Sequence, residues 1–243
     1  MKGAAPLLLA GGGLIWSAPL PALAQGMDGG PSLQLEAAGD ERRRGLSWSD
    51  GAPVLKASAS LPVGSALAFD IAATSLWGSG RHGGADAAID VGARYARQVG
   101  AFRGQVLGGY HAFPGASGMG YGEIGGGIGY QFGPAALDLF ARYAPDQSAL
   151  GGDNLVLGSA LSIGIPRTPL TLSAHLARSS GKSDDPARSR RLRPDGTYWD
   201  HGVALDYHRG RWSAGLRYAD SSIDRDAAAH GGPRLIACIA LEL

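Results

Sequence analysis

Apolar and polar residues alternate with a period of two through most of this chain. Trp199, His201, Val203, Leu205 and Tyr207 share one side of a run whose other side is Asp200, Gly202, Ala204 and Asp206. Trp212, Ala214, Leu216 and Tyr218 alternate in the same way with Ser213, Gly215, Arg217 and Ala219. Leu137, Leu139, Ala141 and Tyr143 alternate with Asp138, Phe140 and Arg142, and Ile89, Val91, Ala93 and Tyr95 with Asp90, Gly92, Arg94 and Ala96. Such a period marks a strand with two unlike faces. Counting these segments predicts about twelve strands, starting near residues 31, 52, 65, 86, 101, 120, 135, 153, 168, 197, 211 and 234. The connections fall into two alternating classes. Tight ones lie at Pro62-Val63-Gly64, Val99-Gly100, Gly133-Pro134, Ile165-Pro166-Arg167 and Arg209-Gly210; longer polar ones lie at 39–51, 77–85, 113–119, 145–152, 179–196 and 221–233. Short turns at one end, long loops at the other and an even strand count predict an all-β fold. It is a transmembrane antiparallel up-and-down β-barrel with its turns on the periplasmic side.

The aromatic residues point the same way. Tyr110, Tyr143, Trp199 and Tyr218 are expected at the external ends of their strands, and Tyr95, Phe102, Phe132, Tyr207 and Trp212 at the periplasmic ends. Eight tilted strand residues separate Trp199 from Tyr207, roughly 20 Å, close to the ~25 Å apolar band between the aromatic girdles of such barrels. A soluble sandwich would gather its aromatics at mid-strand instead. The opposite faces carry Asp70, Asp90, Arg94, Arg103, Glu123, Asp138, Arg142, Asp200, Asp206 and Arg217, which are expected to line the lumen because uncompensated charge needs water or a partner.

Twelve strands fall between the eight whose interior side chains fill and the sixteen that leave a channel, so strand number alone does not decide whether a pore exists. Small residues are expected opposite large ones inside. With a turn at Gly133-Pro134, Gly125, Gly127 and Gly129 face Arg142, Phe140 and Asp138; with a turn at Arg209-Gly210, Gly202 faces Arg217 and Asp200 lies on its diagonal. Arg142, without such a diagonal partner in its hairpin, is expected to be a fixed positive charge in the pathway.

The N-terminus assigns a compartment. Met1-Lys2, the apolar stretch Ala4 to Ile15 and Ala22-Leu23-Ala24 have the form of a secretory signal, residues 1–24, with one barrel domain over 25–243. The apolar stretch is too short for a spanning helix. Removing Lys2 leaves 21 basic against 21 acidic residues, so no single-sign field points to nucleic acid. One cysteine, Cys238, excludes an internal disulfide and a multi-cysteine zinc site. Forty Gly in 243 residues, with 44% apolar, suit neither collagen nor a disordered chain.

Local motifs do not change this picture. Gly120 to Gly125 fits G-x-G-x-x-G, but a strand rather than a helix follows, which excludes the nucleotide reading. The six histidines lack metal-ligand spacing and no G-x-S-x-G elbow occurs, so no cofactor or metal is expected. Ser173 or His175 with a neighbour is the pair a barrel lipase could use. Asp184-Asp185 could touch calcium, but Arg188, Arg190, Arg191 and Arg193 follow. The plainer expectation is a solvated charged loop reaching lipopolysaccharide phosphates.

Two blocks carry a family resemblance. Asp40, Arg42, Arg44-Gly45, Ser47, Ser49-Asp50-Gly51 and Pro53 form the first, and Tyr110, Phe113-Pro114-Gly115, Tyr121, Glu123 and Tyr130 the second. In order and spacing these resemble the TorF family of porin-like proteins, with Tyr218-Ala219-Asp220 a looser match. Glu41 and Arg43 stand where that family tends to have aromatics, and Leu243 where it usually ends in Phe. The resemblance implies an outer-membrane barrel and a pore. Its expected partners are outer-membrane lipids and lipopolysaccharide, the barrel-assembly machinery and small polar solutes. Three functions follow in order of preference: a passive diffusion channel, a barrel enzyme acting on lipids, and a closed structural or adhesive barrel with its inner charges paired. The first makes the protein a non-enzyme.

Overall fold

Alternation along each strand gives the chain one apolar and one polar face, and closing the sheet on itself buries the polar one. The computed structural model describes residues 30–224, 228 and 230–243; the expected signal segment 1–24 lies outside them. The wall is built from β1 (Ser32–Ala38), β4 (Val54–Val63), β5 (Leu67–Ser79), β6 (Ala85–Val99), β7 (Phe102–Ala112), β8 (Tyr121–Phe132), β9 (Ala135–Gln147), β10 (Gly152–Gly164), β11 (Leu170–Ser180), β12 (Tyr198–Arg209), β13 (Trp212–Ser221) and β14 (Arg234–Glu242). Every neighbour pair is antiparallel and β1 pairs with β14, so the twelve strands form a closed barrel without a free edge. All twelve start within two residues of the positions the alternation predicts.

Three turns pin the register. Gly100-Ala101, Gly133-Pro134 and Gly210-Arg211 each join paired residues on either side, and each glycine has φ near +60° (61°, 59° and 60°). Glycine first in a two-residue loop is the type II′ arrangement, whose twist matches the flanking strands. Gly125, Gly127 and Gly129 therefore face Arg142, Phe140 and Asp138, as expected. Two turns fall one residue later than expected, Gly100-Ala101 rather than Val99-Gly100 and, between β12 and β13, Gly210-Arg211 rather than Arg209-Gly210, which moves each pairing of β12 with β13 by two. Arg217 faces Ala204, Gly202 faces Ala219, and Asp200 faces Ser221.

The outward face is a belt of Leu, Ile, Val and aromatic residues from every wall strand, among them Leu35, Ile71, Val91, Ile128, Leu139, Leu172, Val203, Leu216 and Ile239. All nine aromatics expected at the strand ends point outward, with Tyr95, Phe102, Phe132, Tyr207 and Trp212 towards the turn end and Tyr110, Tyr143, Trp199 and Tyr218 towards the loop end. Trp77, which the sequence reading did not place, joins them on the outside.

The loop end departs most from expectation. Residues 39–51 are not a solvated loop. They contain two short paired strands, β2 (Arg42–Arg43) and β3 (Leu46–Ser47), whose side chains are largely buried. A 3-10 turn at Gly80–His82 and a single helical turn, α1 (Pro186–Ser189), fold beside them. Trp48, Leu76, Ala88, Phe113, Tyr121 and Leu192 belong to one buried apolar cluster that brings the loops together with the inward ends of the strands.

Candidate functional site

The β2–β3 hairpin owes its shape to its own polar residues. Asp40 Oδ1 accepts hydrogen bonds from the hydroxyls of Ser47 (2.5 Å) and Ser49 (2.9 Å), and its other oxygen accepts one from Arg42 Nε at 3.0 Å. Arg44, Gly45, Asp50 and Gly51 carry the positive φ values that turn the chain back. Arg42 donates to the carbonyls of His230 (2.7 Å) and Gly232 (2.8 Å), which ties the hairpin to the last loop. The first signature block thus folds as a unit.

Its contacts are with inward side chains of the wall and with Glu123 and Phe113 of the second block. The Arg43 guanidinium grips Asp90 with both terminal nitrogens (2.8 and 3.1 Å), donates from Nε to Glu41 at 2.9 Å, and lies 3.9 Å over the Trp48 ring. Asp90 also meets His111 Nδ1 at 2.6 Å. Arg44 is ion-paired with Glu123, and its carbonyl accepts from the Tyr198 hydroxyl at 2.9 Å. Burial pushes the Glu41 carboxyl up, but Lys56 and Arg43 outweigh it and hold the group below the usual carboxylate range. Glu41 and Arg43, which stand where the TorF pattern tends to have aromatics, are therefore an ion pair built into the hairpin's inner face.

Above this, Trp48 packs on His82 with ring centres 4.5 Å apart, and His82 stacks on Phe113 at 4.5 Å. Arg191 donates from Nε to His82 Nδ1 (3.1 Å), donates to the Met119 carbonyl (2.5 Å) and covers the Phe113 ring at 4.4 Å. Burial, with Arg191, Arg81 and Arg43 nearby, pushes the His82 imidazole far below its ordinary range and keeps it neutral. Arg193 donates to the carbonyls of Gly181 (2.7 Å) and Asp153 (3.0 Å). The expectation of a solvated charged loop over 179–196 is corrected for these two arginines: both are buried, because backbone carbonyls at the loop ends take their hydrogen bonds. Arg188 and Arg190 are exposed.

Below the hairpin a cavity of about 150 Å³ remains, bordered by Arg42 and Arg44 above and by Arg142, His175, Asp200 and Arg217 on the wall. Nearer the turn end the inward charges pair across strands. Arg94 meets Asp70 at 3.6 Å, Arg103 meets Asp138 at 3.1 Å, and the Ser60 hydroxyl donates to Asp70 at 2.6 Å. Arg217 is 3.4 Å from Glu36 on β1, not beside Asp200, which faces His175 at 3.4 Å instead. Asp206 sits opposite Gly215 within the field of Arg217.

Arg142 is not the isolated charge the sequence implied. It pairs with Gly125, which puts Glu123 on its diagonal within the hairpin, and the Arg142 guanidinium lies 5.7 Å from the Phe140 ring. All ten residues expected to line the lumen point inward, but Asp90 and Glu123 are sealed beneath the hairpin. Sequence reasoning missed Glu36, Lys56, Trp48, His82 and His111 as partners. The two signature blocks were the signal that could have found Trp48 and His111, which lie within them, since the structure packs one block against the other; Glu36, Lys56 and His82 lie outside both.

Ser173 and His175 face inward, away from the outward edge at which a lipid-cleaving pair is needed. The arrangement binds and balances charge in a polar interior closed at one end by a folded hairpin.

Comparison with solved structures places the fold among porins. A KdgM porin in complex with disordered oligogalacturonate superposes with a TM-score of 0.58 at 11% identity, covering 86% of this chain and 98% of that one. A NanC porin structure gives 0.61 at 10% identity, covering 86% and 97%. These likenesses are of fold, a porin-like barrel. No curated protein matches the sequence. Residues 32–237 match the model of a family described as "Bacterial protein of unknown function (Gcw_chp)", and the chain belongs to that family.

Proposed function

We propose that this protein is an outer-membrane channel for passive diffusion of small polar solutes, closed at its external mouth in this conformation by the β2–β3 hairpin. The observation that carries this reading is a closed wall that is apolar outside, banded by aromatics at both ends, and charged inside. The wall supplies the lumen. The hairpin, held by hydrogen bonds and ion pairs rather than by a covalent tie, supplies a closure that can leave. The TorF resemblance and the fold shared with the KdgM and NanC porins support the same reading, as does the signal-like N-terminus, which implies export and insertion by the barrel-assembly machinery. We read the protein as a channel rather than an enzyme.

One observation favours a second reading, a closed structural barrel. Asp70, Asp90, Arg94, Arg103, Glu123, Asp138 and Arg217 each have an opposite charge within ion-pair distance. Liposome swelling with sugars and amino acids of graded size separates the two. The channel reading expects swelling that falls with solute size and grows when residues 41–49 are replaced by a short Gly-Ser link. No swelling from either protein would leave the structural barrel.

A further inference from the structure

Arg178 occupies an unusual place. It lies at an outward position of β11, exposed, directly across from Trp199 on β12 and Leu157 on β10. Its guanidinium makes no hydrogen bond or ion pair with any described residue. His201 follows on the diagonal, opposite Leu176 and also exposed. Among the described residues these two are the only basic side chains at outward positions in the loop-end half of the wall strands. Just beyond β11, Lys182 is exposed and its amino group has no described partner.

Among the described residues neither nearby carboxylate forms an ion pair with Arg178 or Lys182, and Asp220 faces His201 across β12 and β13. Asp153 accepts from the Tyr143 hydroxyl (3.1 Å) and the Lys182 backbone nitrogen (2.6 Å). Asp220 accepts from the Ser221 backbone nitrogen (2.8 Å) and the Tyr218 hydroxyl (3.3 Å). Both are committed locally. Arg178 is thus a free, planar donor fork beside an indole, at the height of the loop-end aromatic girdle and on one sector of the wall only.

We propose that this sector, centred on Arg178 and Trp199 with Lys182 above, docks a phosphate group of outer-leaflet lipopolysaccharide. The inference rests on the outer-membrane reading of the barrel. A guanidinium fits phosphate oxygens with two parallel hydrogen bonds, and Trp suits the boundary where acyl chains give way to headgroups. The site faces the bilayer and not the lumen, so its anion is carried by a lipid. At the loop end that lipid belongs to the outer leaflet. His201, one step deeper and facing Asp220 across β12 and β13, lies outside the site.

The test refolds wild type, Arg178→Ala/Lys182→Ala and the turn-end control Arg97→Ala into phosphatidylcholine vesicles containing purified lipopolysaccharide. Lipid retained after detergent extraction is then counted by native mass spectrometry. The expected result is at least a tenfold loss of retained lipopolysaccharide in the double variant, none in Arg97→Ala, and a comparable loss in wild type when the lipopolysaccharide is dephosphorylated. Equal retention by wild type and the double variant overturns the site, as does undiminished retention of the dephosphorylated lipid. These results hold whether or not the barrel conducts. A chain that never enters the vesicles overturns the membrane reading together with the site.

Discussion

Arg43 is the residue on which the closed mouth depends. It bridges two buried carboxylates, Asp90 and Glu41, and its removal would leave Asp90 with only His111 and Glu41 with only the more distant Lys56 beside them. Breaking a buried ion pair from one side costs about 3–5 kcal/mol. Here the loss is limited by the hairpin's own docking energy, since the hairpin can withdraw rather than strain. Arg43→Met is therefore expected to leave the barrel folded while amide exchange across 39–51 accelerates to the rate of an open loop. Arg43→Met with Asp90→Asn should recover part of the protection. Unchanged exchange in the single variant would show that apolar packing alone holds the hairpin. At the same scale, the inward charges were legible from alternation, but their partners were not. Arg217 finds Glu36 two strands away across the β14 seam, a contact that depends on closure of the barrel and not on any spacing in the sequence. Gly202, expected to make room for Arg217, makes it for His175 instead. It lies under the His175 ring, where an added Cβ would meet Cε1 at 2.6 Å.

Among the elements, hairpins whose turn begins with glycine could be registered from sequence. The rule that places Gly133-Pro134 correctly also places Gly210-Arg211, because a glycine at the first turn position supplies the positive φ that a type II′ turn requires. A turn at Arg209-Gly210 would put arginine at that first position, and the register it implies is two residues from the observed one. The hairpin over 39–51 was illegible for another reason. Its residues read as a polar loop, and only the far wall that covers them makes them interior. Its docking also predicts a response to acid. His82 is buried and neutral between Trp48 and Phe113, its Nδ1 occupied by the Arg191 hydrogen bond. With the folded value depressed, stability is complete above the free value near 6.5 and falls as pH drops below it, because only the opened state takes the proton. Glu41, also depressed, adds the same sign below about pH 4.5. From pH 7 to pH 5 the closed state should lose about 2 kcal/mol, roughly thirtyfold in exchange at 39–51 after correction for intrinsic rates. His82→Gln should flatten that dependence between pH 7 and pH 5. A wild-type profile already flat over this range would mean that His82 stays buried when the hairpin moves.

For the whole molecule, the outward belt and the inward charges make opposite demands on substitution. Leu139→Arg or Val203→Arg places a cation near the middle of the apolar band at about 2–4 kcal/mol and should reduce the heat-modifiable, membrane-inserted form. Ala160→Ser, inward at the cavity, should be close to neutral. Equal effects would mean that the belt does not face lipid. Twelve strands, their order and their two faces were all present in the alternation, since a period of two is local and survives without knowledge of neighbours. Whether the lumen is open was not, because that depends on where a fifteen-residue connection between β1 and β4 folds. Single-channel recording in planar bilayers, on wild type and on the chain with residues 41–49 replaced by a short Gly-Ser link, addresses that point most directly. A hairpin that closes a polar lumen predicts brief or small openings from wild type and long, larger steps from the shortened chain. Silence from both, with each demonstrably inserted, would contradict it.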